Sequence, residues 1–324
     1  MITNSAASAP AESIVHPTTI IESVRLSSYL GARVILASET FQQTGSFKFR
    51  AAYHVASSVT QRLLITATSG NFGQALAYAC ALKGKSCIIV MPSTAARVKI
   101  DAVREYGGRV ELIDTRVISR KEKIAALAAA HPDAYIASSA DDLLVIAGNS
   151  SLGRELSVFA ALLDYIIVPI GGGGLASGII VGLRQSGANT HVIAAEPQLA
   201  NDAAQSLRAG RIVSLDAEPQ TIADGARVLS IGKYNWKILQ HGLEGVIEVP
   251  ENRIADAVRL LFTRANLKVE PTGALGVAAV LSQPERFQHR TVCCVISGGN
   301  VDPASYAKLI TDDRNVSVYP VKDY

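Results

Sequence analysis

Short apolar runs alternate along this chain with longer stretches whose apolar positions recur every three to four residues. "RLLITATSGN" predicts a strand that breaks into a polar turn, and "FGQALAYACALKG" a helix that stops at Gly84. "SCIIVMP" is the next strand, "AARVKIDAVREYG" the next helix and "RVELID" the strand after it. "SRKEKIAALAAAHP" is a helix stopped by proline. Further on, "YIIVPI", "HVIAAEP" and "TVCCVISGG" are three strands, each running into a glycine, a proline or an acid. Strands that are apolar along their whole length, separated by helices, imply parallel sheet covered on both faces. The expected fold class is therefore α/β, with two lobes, each an open, mostly parallel sheet flanked by helices. No linker is visible, so the lobes interleave: a smaller one over residues 57–142, a larger one from residues 1–56 and 143–324.

Composition narrows the function. Of 324 residues, 48% are hydrophobic and only 18% charged, which allows a substantial core and excludes a disordered chain. A net charge of +3, spread along the sequence, gives no footprint for nucleic acid. The most apolar stretches are broken by glycine or charge, so no membrane span is expected. The start, "MITNSAASAPAESIVHP", lacks the basic flank and apolar run of a signal peptide, which points to the cytoplasm. Cys80, Cys87, Cys293 and Cys294 have neither metal nor redox spacing and are expected as buried small hydrophobes. Cys293 and Cys294 are adjacent in a strand, so their side chains take opposite faces.

Candidate chemistry gathers in glycine-rich turns after strands, where ligands of open parallel sheets bind. In "VPIGGGGLASG", residues 168–178, Gly171, Gly172, Gly173 and Gly174 follow a strand and precede a helix. Such a loop lets several amides converge on an anion at a helix N-terminus. It lacks the Lys-Ser/Thr of a P-loop, and no magnesium ligand is nearby, so a singly phosphorylated cofactor fits better than a nucleoside triphosphate. In "TATSGNFGQA", residues 66–75, Ser69, Gly70 and Asn71 can bind a carboxylate, although Ser-Gly-Asn is also ordinary capping material. "VISGGNVDP", "VEPTGALG" and "TIADGARV" are further turns of this kind. "TGSFKFRAA", residues 44–52, sets Lys48 between two phenylalanines with no acid in the stretch. Lys48 is either a snorkelling surface lysine or an amine wanted for imine chemistry.

These stretches, in this order, resemble the pyridoxal-phosphate enzymes of the tryptophan-synthase β fold (fold type II), and within them the serine/threonine dehydratase and serine racemase branch. "TGSFKFR", "SGNFGQALAYA", "GGGGLASG", "AAEP", "TIADG", "EPTGA" and "SGGNVD" carry the likeness from about residue 40 to about residue 302. The resemblance implies that Lys48 forms the Schiff base with pyridoxal 5'-phosphate and that Phe47 packs beside the cofactor ring. It implies that Asn71 hydrogen-bonds the phenolic oxygen, that Gly171 to Gly174 cradle the phosphate, and that Ser297 faces the pyridine nitrogen. A hydroxyl there makes the ring a weaker electron sink than a carboxylate would, which suits elimination better than transamination. The smaller lobe becomes the substrate-binding domain and the larger the cofactor-binding domain. In "EPQLAND", Glu196, the Ala200 carbonyl and Asp202 match a divalent-metal site of the racemase-like members, an oxygen set suited to Mg2+ or Ca2+.

Phe72 stands where the family usually has histidine, "AGNSS" (147–151) replaces Ala-Gly-Gln-Gly-Thr, and Ala51 replaces a glycine. These departures leave the substrate open. The resemblance implies an ammonia-lyase (dehydratase) that converts a β-hydroxy amino acid such as L-threonine or L-serine to a 2-oxo acid and ammonia. The Ser69–Gly70–Asn71 turn would hold the substrate carboxylate and Lys48 would act as general base. The alternative is an amino-acid racemase with Lys48 and Ser69 on opposite faces of the substrate, since racemases of the family carry serine at this position. A β-replacement synthase or a sensor without catalysis fits the motifs less well. A homodimer acting on a small amino acid is implied, and with no long extension after Tyr324, feedback control through a separate regulatory domain is not expected.

Overall fold

Valine, isoleucine and leucine dominate the short runs between helices, and such side chains suit a pleated surface buried on both faces. In a computed structural model, which describes residues 14–68 and 70–311, these runs form the strands of two sheets. The strands are β1 (Thr19–Glu22), β2 (Arg33–Ser38), β3 (Leu63–Ala67), β4 (Ser86–Pro92), β5 (Arg109–Ile113), β6 (Tyr135–Ile136), β7 (Tyr165–Pro169), β8 (His191–Pro197), β9 (Gly245–Val249) and β10 (Thr291–Ile296). One sheet has the order β1-β2-β10-β7-β8-β9 and the other β5-β4-β3-β6. Among the described strands β1 and β2 pair antiparallel, and every other strand pair is parallel. The result is the α/β architecture, two mostly parallel sheets flanked by helices, that the alternation of runs predicts. The helix expected to stop at Gly84 spans Asn71–Leu82, with Gly84 just beyond it at φ +61°.

Topology puts two of the glycine turns at crevices. β3 lies between β4 and β6, and β7 between β10 and β8, so the loops leaving β3 and β7 sit where strand order reverses. Ligands of open α/β sheets bind at such points. The helix Gly174–Gln185, which follows the β7 loop, crosses the helix Leu143–Ser157 at very short range. A Cβ added at Gly182 would lie 2.2 Å from the Ser150 carbonyl oxygen, so only glycine permits this crossing. Packing on either side is apolar: Leu152, Leu156, Ile166, Val168, Ile179 and Leu183 belong to one buried cluster. All four cysteines are free and buried. No helix among the described residues is long and apolar enough to cross a membrane.

The helix Lys48–Ser58 is fixed by an interaction that the sequence does not announce. Arg50 is buried and donates to Glu39 through Nε (2.7 Å) and Nη2 (2.9 Å). It also donates to Glu155 through Nη1 (2.6 Å) and Nη2 (3.0 Å), and to the Ser151 hydroxyl at 3.0 Å. Paired forks of this kind satisfy a guanidinium taken out of water. Burial opposes its charge, but the two carboxylates more than compensate and hold Arg50 further above its ordinary value. Removing the guanidinium would leave buried carboxylate without a partner. Arg50→Met should lower unfolding stability by about 3–5 kcal/mol, read from denaturant midpoints.

Candidate active site

Residues from both sheets line one cavity. Lys48 enters from the start of its helix, Thr68 and Asn71 from the turn after β3, Ser139 and Ala140 from the segment after β6. Gly171 to Gly174 come from the loop after β7, Gly225 and Arg227 from the turn near 224, and Glu270, Thr272 and Ser297 from the far wall. Phe47 and Phe72 complete the wall near Lys48. Every glycine turn singled out in the sequence therefore contributes to the same cavity. Ser69 lies outside the described residues.

Lys48 Nζ donates to the Ser139 carbonyl at 2.7 Å and lies 4.9 Å from the Phe47 ring centre and 5.9 Å from that of Phe72. No carboxylate forms an ion pair with it among the described residues. Burial strips its hydration and lowers its pKa to about 8; the charge of Glu270 opposes the shift without cancelling it. Much more of this lysine is a free amine near neutral pH than of an exposed one, which favours the imine-forming reading over a snorkelling side chain.

The β7 loop fits an anion. Gly173 has φ +96°, and a Cβ there would meet Leu239 Cδ1 at 2.8 Å and Asn235 Cβ at 2.9 Å. Among the described residues the amides of Gly171, Gly172 and Gly173 donate to no main-chain oxygen. Asn235 Nδ2 donates to the Gly172 carbonyl at 2.7 Å, and Asn149 Nδ2 to the Gly174 carbonyl at 3.1 Å. Both turn the loop's carbonyls outward to side chains and leave its N–H groups for a ligand. Neither asparagine was evident as a site residue. Asn149 sits in the "AGNSS" departure, so that segment acts behind the loop and not in the cavity wall. The buried Ser297 hydroxyl has no protein hydrogen bond among the described residues. Unpartnered amides at one end of the cavity, an unpartnered hydroxyl in its wall and a free amine between aromatic rings fit a pyridoxal phosphate molecule.

Asn71 is held on three sides. Its Oδ1 accepts from Asn300 Nδ2 (3.1 Å) and Gln74 Nε2 (3.3 Å), and its Nδ2 donates to Glu270 Oε1 at 2.6 Å. Glu270 also lies 3.5 Å from Lys99 Nζ, which donates to Asp224 at 2.7 Å. Glu270 stands in the quoted "EPTGA" stretch, so its motif was visible although its role was not; Lys99 carries no local signal.

Glu196, Ala200 and Asp202 are buried together away from this cavity. Glu196 accepts from the amides of Ala203 (3.1 Å) and Ala204 (2.7 Å), while Asp202 Oδ2 is buried without a partner. Burial raises Glu196 to about 8, with Asp202 adding and the two amides opposing; burial likewise raises Asp202 to about 7. Among the described residues no three His, Cys, Asp or Glu side chains gather as a metal site. The donor set is thus two carboxylates and a carbonyl.

The chain matches the family described as "Pyridoxal-phosphate dependent enzyme" over residues 11–298. It is 33% identical to an L-threo-3-hydroxyaspartate ammonia-lyase of Pseudomonas sp, covering 92% of this chain and 94% of that protein. It is 35% identical to a serine racemase of Homo sapiens, covering 90% of this chain and 88% of the relative. Among solved structures, a threonine deaminase from T.th. superposes with a TM-score of 0.83 at 39% identity, covering 89% of this chain and 94% of that one.

The lowered Lys48 pKa sets a rate. Only the neutral amine attacks an aldehyde, so capture of pyridoxal phosphate by the apo-protein should quicken about tenfold per pH unit below pH 8. Above that value it should level off, as followed by stopped-flow absorbance; a lysine of ordinary pKa would keep accelerating for about two further units.

Proposed function

The chain belongs to the pyridoxal-phosphate-dependent enzymes, in their ammonia-lyase and racemase branch, and on that premise we propose that it is an ammonia-lyase for a β-hydroxy amino acid such as L-threonine or L-serine. The observation that carries this reading is the meeting of a low-pKa Lys48, an unpartnered Ser297 hydroxyl and the amides of the tetraglycine loop in one cavity. When bound, the cofactor supplies an electron sink for charge left at the substrate Cα. Gly171 to Gly174 would take its phosphate, Phe47 would flank its ring, Asn71 would donate to its phenolic oxygen and Ser297 would face its ring nitrogen.

The chain's own residues do the rest. Ser69, Gly70 and Asn71 bind the substrate carboxylate at the start of the helix Asn71–Leu82, where the helix dipole favours an anion. Lys48 Nζ draws the proton from Cα, and the rings of Phe47 and Phe72 keep water from the amine. The β-hydroxyl leaves with a proton as water, and the released enamine tautomerises to an imine that takes up one water to give a 2-oxo acid and ammonia. In this reading residues 57–142 form the substrate-binding domain, and the flanking segments form the cofactor-binding domain. The similarity to an L-threo-3-hydroxyaspartate ammonia-lyase adds 3-hydroxyaspartate to the candidate substrates.

A panel of L-serine, L-threonine and 3-hydroxyaspartate, read as 2-oxo acid release, tests the reading. At least one should react, and Lys48→Ala should reduce that rate by about a thousandfold or more. Full activity in Lys48→Ala would end the proposal. A second reading, racemisation, rests on residue type: position 69 is a serine, as in the racemases this chain resembles. Formation of D-serine from L-serine, lost in Ser69→Ala while 2-oxo acid release persists, is its expected signature.

Glu196, the Ala200 carbonyl and Asp202 would hold a divalent cation, supported by the orphaned Asp202 oxygen and by the lack, among the described residues, of a cationic side chain on either acid. The ion would offset two buried charges and have no part in the chemistry. Millimolar Mg2+ or Ca2+ should raise Tm by several degrees, since a ligand that binds only the folded state stabilises it. Asp202→Asn should abolish that response, and no shift with either ion would dismiss the site.

A further inference from the structure

Lys99 is a buried lysine that the proposed reaction does not use. It stands on the helix Arg97–Glu105, which packs against the four-stranded sheet, yet its ammonium reaches across the cleft. Nζ contacts Asp224 at 2.7 Å and lies 3.5 Å from Glu270, and its side chain is 4% exposed. Its stem runs along the substrate turn: a Cβ added at Gly70 would fall 2.1 Å from Lys99 Cδ. So Lys99 connects the turn that carries Asn71 to the wall that carries Glu270.

Glu270 is buried, and its Oε2, which faces Lys99 Nζ at 3.5 Å, accepts no hydrogen bond among the described residues. The charged groups that face it are Lys99, Asp224 on the turn Asp224–Ala226, and Lys48. Burial, with Asp224 adding to it, leaves its carboxyl above the ordinary value, and Lys99 is the largest force opposing that rise. The ionisation state has a geometric consequence. A carboxylate only accepts, so it takes an N–H from Asn71; a carboxylic acid can donate, and would then pair with the Asn71 carbonyl. In the structure the amide is oriented for the carboxylate, with Oδ1 occupied by Asn300 and Gln74 and Nδ2 on Glu270. The second Nδ2 hydrogen is left for the cavity.

We infer that Lys99 is a positioning residue, whose ammonium, set between Asp224 and Glu270, keeps Glu270 an acceptor for Asn71 and so decides which end of that amide faces the cofactor. The inference rests on Asn71 serving the cofactor's phenolic oxygen, as proposed above. An N–H directed at that oxygen favours its charged form, whereas an amide carbonyl in the same place would disfavour it.

The experiment is a pH titration of the holoenzyme's absorbance, which reports the state of the phenolic oxygen without turnover. Without Lys99, Glu270 takes up a proton at higher pH, so the midpoint of the absorbance change should rise. Lys99→Met and Lys99→Gln should each raise it by about one pH unit or more, and Lys99→Arg should keep the wild-type midpoint. Glu270→Gln should remove the transition in every background. Two outcomes overturn the inference. If the midpoint is unchanged in whichever neutral variant folds, while Asn71→Ala alters the spectrum, Lys99 is only a structural bridge. If Asn71→Ala leaves both spectrum and cofactor affinity at wild type, the reading of Asn71 itself fails and the inference falls with it.

Discussion

The buried guanidinium of Arg50, shared between Glu39 and Glu155, is the constraint from which the site takes its geometry. Arg50 is two residues beyond Lys48 on the same short helix, so what fixes one fixes the direction of the other. Glu39 belongs to the segment leaving β2, and Glu155 to the helix that braces the tetraglycine loop. One side chain thus sets the Lys48 amine against the sheet and against the tetraglycine loop together. An apolar residue could fill that volume, but it would carry none of the directional bonds that relate three elements.

Charge in the cavity is arranged by subtraction. The loop suited to phosphate uses main-chain amides, with Asn149 and Asn235 occupying its carbonyls, and needs no lysine or arginine. Lys48, near it, keeps no counter-ion among the described residues and loses hydration, which raises its free-amine fraction and suits it to act as a nucleophile or base. Phe72, in place of the family's usual histidine, continues that logic. Its ring lies 5.9 Å from the amine and removes a polar group that could otherwise solvate it. Among the described residues Glu270 supplies the opposing charge felt by Lys48, and Lys99 compensates for it on its other side.

The departures recognised in the sequence divide by location. Phe72 faces the cavity and bears on what can bind there. Asn149 and Ser151 do not. One supports the Gly174 carbonyl and the other accepts from Arg50, so they maintain the scaffold behind the ligand. In this chain Phe72, Arg120 and Arg227 line the cavity, whereas the "AGNSS" segment does not.

Much of this protein was legible one segment at a time. Apolar runs and their spacing determined the α/β class, and glycines after strands determined where ligand loops lie, because both follow from backbone sterics within a few residues. Four strands escaped notice: β1, β6 and β9 are short and half-exposed, whereas β2 is buried from Val34 to Ser38 and its apolar run was passed over. Lys48, Asn71, the four glycines and Ser297 could be named from their motifs, but not shown to share a cavity. What joins them is long-range: Arg50 meets Glu155 across 105 residues, Lys99 meets Asp224 across 125, and Asn71 meets Glu270 across 199. Such partners leave no period and no local composition. They are chosen only when the two sheets bring their carboxyl ends together and burial forces each charge and amide to find whichever group lies opposite.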